Sequence, residues 1–157
     1  MPNIPQQARL HVVDLTAADG TAVSEFLEPR LREQMDSQYG TPAYKTAFAL
    51  DGIVRSAASR MEYHCEALAE DNFLNSRERL NSLHAVQDAW NHLWRAVSPW
   101  HEEDGYDTAR WVHVEYIDPA AAERGEEMKA RVAAEIEAEL QAEGDRTARD
   151  HPGPRPR

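Results

Sequence analysis

Apolar residues recur at helical spacing over most of this chain, in runs parted by short polar breaks. After Thr41-Pro42, Ala47, Val54, Met61 and Leu68 repeat every seven residues. Tyr44, Ala58 and Cys65 take the matching second position, interrupted only by Asp51. That spacing predicts a helix from Thr41 to about Glu70 with a bundle-type seam. Thr41 suits the N-cap and Pro42 the first helical position, while Gly52 weakens the helix by about 1 kcal/mol relative to Ala. A second helix runs from a Ser76 cap to Val97 and is ended by Pro99. At about 100° per residue, Leu80, Leu83, Trp90, Trp94 and Val97 share one of its faces. Only Asp71 to Asn75 separates the two helices, so an antiparallel αα-hairpin is expected.

Flanking elements are less regular. Thr21 to Gln38 reads as helical through Val23, Phe26, Leu27, Leu31 and Met35, with Pro29 predicting a kink, or a break near Glu28. Asp118-Pro119 starts a C-terminal helix to about Glu143, with a thin stripe of Met128, Val132, Ile136 and Leu140 and Gly125 inside. Glu135, Glu137, Glu139 and Glu143 oppose its dipole. Such a helix is marginal alone and calls for a partner surface. Arg9 to Leu15 and Ala109 to Ile117 are rich in β-formers and predict two short strands. Two strands make no stable sheet unaided. They are expected to pair with each other on the hairpin, or with the same strands of a second subunit. Ser98 to Thr108 reads as loop, with a turn at Asp104-Gly105. The expected fold is mainly α: an antiparallel helical hairpin plus flanking N- and C-terminal helices with a minor two-stranded β element. Residues 1–143 are expected as a single compact helical domain, and 144–157 as a disordered Pro/Arg tail ending HPGPRPR.

Composition narrows the function classes. The 157 residues carry a formal net charge of −11. The arginines of the tail leave residues 1–143 more acidic still, at −13. A basic footprint for a nucleic-acid backbone is missing, so direct nucleic-acid binding is disfavoured, whereas a basic protein partner suits this surface. Cys65 is the one cysteine, which excludes an intrachain disulfide and a multi-cysteine zinc site. No secretory leader pattern and no membrane-length apolar run is present, so a cytoplasmic, membrane-free location is expected. Fifteen arginines against two lysines, with abundant alanine, suggest a GC-rich genome of actinobacterial or phage type.

Candidate chemistry concentrates late in the chain. All four tryptophans fall between Trp90 and Trp111, overlapping His84, His92, His101 and His113. Trp90 and Trp94 fit the buried face of their helix. His84, Asp88 and His92 are ligand types at i, i+4, i+8, but drift away from the apolar stripe and read as a solvated flank. Trp100, Trp111 and Tyr106 lie in a stretch with Glu102, Glu103 and Asp104. Tryptophan beside carboxylates is a hot-spot arrangement for an arginine-bearing partner; alternatively, the tryptophans plug the end of the hairpin. His101, His113 and Glu115 are the candidate metal ligands, and a divalent metal is the one cofactor they suggest. The simpler reading is an acidic loop with an edge His and Glu facing water. H-x-E at His113–Glu115 is half of a zinc-deaminase signature, whose P-C-x-x-C half a single cysteine cannot supply. Cys65, on the seam, is expected to be an inert thiol.

Arg79-Leu80-Asn81-Ser82-Leu83-His84 resembles the R-x4-H element of HEPN-type ribonucleases, which are small helical domains. The resemblance implies catalytic roles for Arg79 and His84. It covers six residues, has Leu80 where the family has a polar residue, and recurs at Arg146 to His151 in the tail. Three function classes follow. The first is a non-enzymatic acidic interaction protein, of immunity, antitoxin, phage-accessory or assembly-factor kind, that binds a protein partner or forms a homo-oligomer. The second is a small metal- or ligand-binding enzyme using the His/Glu/Trp cluster at 100–116. The third is a helical ribonuclease.

Overall fold

The computed structural model describes residues 9–150. Four helices form: α1 (Ala17–Ser37), α2 (Pro42–Glu70), α3 (Ser76–Val97) and α4 (Pro119–Asp150). Short 3-10 turns occupy Val12–Asp14 and Ser98–Trp100. The chain divides into two compact units, one ending at Asp118 and the other beginning at Pro119, where the sequence places its Asp-Pro helix start. Of the expected 144–157 tail, residues 144–150 continue α4, and HPGPRPR lies outside the described residues. Among those residues, no helix is long and apolar enough to cross a membrane.

The first unit is a three-helix core closed by irregular chain. The seam of α2 points inward as its seven-residue repeat predicts: Ala47, Val54 and Met61 are buried, and Leu68 packs at the margin. The buried face of α3 is Leu83, Val86, Ala89, Trp90, Leu93, Ala96 and Val97. It is turned slightly from the expected stripe, leaving Leu80 exposed and Trp94 half-buried. Val23, Leu27 and Leu31 of α1 complete the core. Gly20 lets α1 approach closely, because a Cβ there would stand 3.0 Å from the Met61 sulfur.

Local signals explain the boundaries. Thr41 Oγ1 accepts the Tyr44 N–H at 3.2 Å, and Asn75 Oδ1 accepts the Glu78 N–H at 3.0 Å. The α3 cap is therefore Asn75, one residue before the expected Ser76. Asp71 ends α2 in the left-handed region (φ 48°) and donates its N–H to Ala67. α1 is continuous through Pro29 and begins four residues earlier than expected. Asp19 draws it back by accepting the Thr16 N–H at 2.8 Å, one arm of a capping box.

The predicted two-stranded β element does not form; among the described residues there is no strand. Residues 12–14 close into a turn. Two bonds still join the segments, from the Val12 N–H to the Tyr116 carbonyl at 3.2 Å and from the Val13 N–H to the Ile117 carbonyl at 3.1 Å. The reason no ladder grows lies on α3. Its side chains take the main-chain groups that a neighbouring strand would need. Asn91 donates to the Val114 carbonyl at 2.9 Å and accepts the Val114 N–H at 3.0 Å. Gln87 donates to the Glu115 carbonyl at 2.8 Å, and Trp90 Nε1 to the Val112 carbonyl at 2.9 Å. Positions 87, 90 and 91 share one helix face, so a single stripe of α3 holds the extended chain at Val112, Val114 and Glu115.

Asn91→Ala orphans the N–H of the fully buried Val114. Removing one partner of a buried donor costs about 1–3 kcal/mol. The denaturant midpoint should fall accordingly with an unchanged slope; an unaltered midpoint would show that α3 does not hold this segment.

Candidate functional site

The aromatic-rich segment separates into an inward cluster and an outward surface. Asp107 Oδ1 accepts the N–H groups of Ala109 and Arg110 at 3.1 and 3.0 Å, and the Trp111 N–H bonds the Asp107 carbonyl at 2.8 Å. This turn drives Trp111 inward, where it is 5% exposed. Its ring meets Phe26 of α1 edge-on at 5.0 Å and Tyr106 edge-on at 5.0 Å. Tyr106 Oη donates to the Trp111 carbonyl at 3.2 Å, and burial pushes its phenol pKa up. Gly105, with φ 89°, makes the expected turn and passes over the Phe26 ring. Trp111 is thus buried against α1, with Tyr106 packed on it.

Arg110, the one base between Pro99 and Asp118, is committed to structure. Its Nε donates to Asp19 Oδ1 at 2.8 Å and Nη2 to Asp19 Oδ2 at 2.7 Å. Nη2 also reaches the Asp14 carbonyl at 2.9 Å. Bidentate bonding to Asp19 raises the guanidinium pKa and ties the loop to the start of α1.

Trp100 behaves differently. It is half-buried and lines a trough of about 600 Å³ with Arg30, Glu33, Gln34, Gln38 and Glu103. Arg30 lies over the Phe26 ring at 3.7 Å and donates to the Phe26 carbonyl and to Glu103 Oε2, each at 2.7 Å. Glu103 is thereby positioned, while Glu102 and Asp104 are exposed beside it.

The candidate metal ligands are not gathered. His101 is 64% exposed, with Nδ1 donating to the Ser98 carbonyl at 3.0 Å. His113 stands edge-on to Trp94 at 5.1 Å. Glu115 is exposed, its carbonyl held by Gln87. Among the described residues, no three His, Cys, Asp or Glu side chains are grouped to hold a metal ion. His101, His113 and Glu115 are each aimed by a different local constraint: the Ser98 carbonyl, the Trp94 ring and the grip of Gln87 on the main chain.

Arg79 and His84 are also apart. Five residues of helix turn them by about 140°. Arg79 lies 3.6 Å from Asp71 and lines an apolar cavity of about 440 Å³ between the Val12–Ala17 stretch, α2 and α3. His84 contacts Gln87 at 3.4 Å on an exposed flank. His92 and Asp88 lie on that flank, with Asp88 3.5 Å from Arg60. Cys65 lines the same cavity as Arg79. Burial, then the Asp19 carboxylate, push its thiol pKa up, as befits an unreactive thiol.

α4 carries the surface feature that the apolar pattern singled out. Met128, Val132, Ile136 and Leu140 form one i, i+4 row, and all four are 45–64% exposed. Each of Glu135, Glu139 and Glu143 follows a row member by three residues, so a second, acidic row runs beside it. From Val132 to Asp145 there are five acids and no base.

No protein-family model, curated protein or solved structure matches this chain.

Replacing Arg110 by Met removes the Asp19 and Asp14 bonds together. A loss of about 1–2 kcal/mol is expected for this half-exposed pair, read from chemical denaturation. Arg110→Lys should recover little, since an ammonium cannot bind both carboxylate oxygens. A full recovery would show that charge alone suffices.

His64 on α2 meets the buried Ser82 Oγ on α3 at 3.3 Å. Burial, then Arg60, push its pKa below the usual 6.5. The unfolded chain therefore binds that proton more readily. The contribution is present above pH 6.5 and is lost as pH falls below it. His64→Gln should flatten the stability–pH curve between about pH 7 and 5, and an equally steep curve would refute the assignment.

Proposed function

We propose that this chain is a non-enzymatic acidic interaction protein that makes its principal contact through α4. The observation that carries this reading is the apolar row Met128–Val132–Ile136–Leu140, uncovered over its whole length. A surface helix ordinarily buries such a row, and contiguous exposed apolar side chains mark contact sites. An immunity protein, antitoxin, phage accessory or assembly factor would each use such an element. Trp100 with Glu102, Glu103 and Asp104 supplies a second, acidic contact surface on the first unit. In that surface Trp111 and Tyr106 act as supports, not as contacts.

A photo-crosslinking amino acid placed at Ile136 of the full chain, in its native host, tests the assignment. Discrete cross-linked species should appear, whether with another protein or with a second copy. The same residue at Glu25, exposed on α1, should give none of them. Indistinguishable patterns at the two positions, or no adducts at any of the four row positions, would overturn it.

A further inference from the structure

We propose that the occupant of α4 is a basic amphipathic helix, with apolar residues four apart and a lysine or arginine row beside them. The inference rests on the reading of α4 as the contact element and goes on to assign the chemistry of what it contacts.

Geometry specifies the shape. An i±4n row is a ridge, and a ridge seats in the groove between side chains of another helix. Four residues at that spacing span about 18 Å, or three turns of helix. Where both partners offer such ridges, the axes cross at about −50°. An extended strand, with a two-residue period, presents no matching ridge.

Charge specifies the sign. Glu135, Glu139 and Glu143 stand one side chain away from Val132, Ile136 and Leu140, and are exposed. On seating, these carboxylates come into the rim of the interface. Cations opposite them are favourable, and anions there are repelled. The other flank adds Glu137, while the bases Arg124, Lys129 and Arg131 lie before Val132 and Arg146 and Arg149 lie after Glu143.

The same arithmetic disfavours a second copy of this chain. Beside its own apolar row, a second α4 presents Glu127, Arg131, Glu135, Glu139 and Glu143, a single cation among four carboxylates. A homodimer through this face would bring two such carboxylate-rich rows into one rim.

Two synthetic helical peptides of about 20 residues, long enough to span the row, are the probes. Both carry leucines four apart; one has lysines in the neighbouring row and the other glutamates. Binding of labelled peptide to the full chain is followed by anisotropy at low and high salt. The lysine peptide should bind saturably and weaken with salt, and the glutamate peptide should not bind. The triple variant Glu135→Lys, Glu139→Lys, Glu143→Lys should lose the lysine peptide by about tenfold or more and gain the glutamate peptide. That exchange shows the variant to be folded and the surface intact. Equal binding of both peptides, or of neither, overturns the charge assignment. So does a wild-type dimer by light scattering that Ile136→Asp dissolves. Cross-links from Ile136 alongside either result would leave α4 as the contact element with only its partner's chemistry misassigned.

Discussion

The first unit depends on one face of α3 treating a stretch of main chain as if it were a strand partner. Asn91 offers a donor and an acceptor from one amide, the same pair of groups that a strand edge offers. Both are spent on Val114. Gln87 and Trp90 hold the carbonyls on either side. The extended segment then carries two further attachments. Ahead of it, Arg110 binds Asp19 and so fixes the start of α1. Behind it, the Tyr116 and Ile117 carbonyls receive the Val12 and Val13 N–H groups. The chain on both sides of the bundle is thus fastened through a few α3 side chains. Among the described residues no buried side-chain nitrogen or oxygen lacks a partner, as a core containing irregular backbone requires.

The helices were legible because their causes are local. The α2 seam follows from a seven-residue repeat, and the α3 limits follow from Asn75 and Pro99 within a residue. The strands were not, because β-propensity describes side chains that fit a half-buried surface, not the partner that satisfies the backbone. Val112, Val114 and Tyr116 do lie in extended chain, but Val112 and Val114 bond side chains on a helix some twenty residues earlier, and the Tyr116 carbonyl bonds the Val12 N–H. The roles of Gln87 and Asn91 leave no mark in the sequence for the same reason: their ligands are main-chain atoms, which no side-chain pattern reveals. Trp111 had no place in any period because Phe26, on α1, makes its pocket. His101, His113 and Glu115 are near in sequence, and nearness says nothing of convergence when a turn at Asp107–Arg110 separates two of them from the third. The α4 row needed only spacing to be seen, and it is the part of the candidate surface that sequence anticipated most directly.

The two units differ in what sustains them. Residues up to Asp118 bury tryptophan, leucine and methionine among three helices. α4 has alanine and glutamate propensity but no core of its own, and its four largest apolar side chains are open to water. Isolated helices gain little from propensity and much from a covered apolar face. Occupancy of that face and helical order in α4 are therefore coupled, and a ligand of the row stabilises the helix by mass action.

Every tryptophan, tyrosine and phenylalanine lies before Asp118, and the chain from Pro119 onward has none of the three. Near-ultraviolet absorption and intrinsic emission are consequently blind to α4, while far-ultraviolet dichroism sees its 32 residues in full. The protein comes with its two units optically separated: loss of ellipticity without a change in tryptophan emission is the signature of α4 alone.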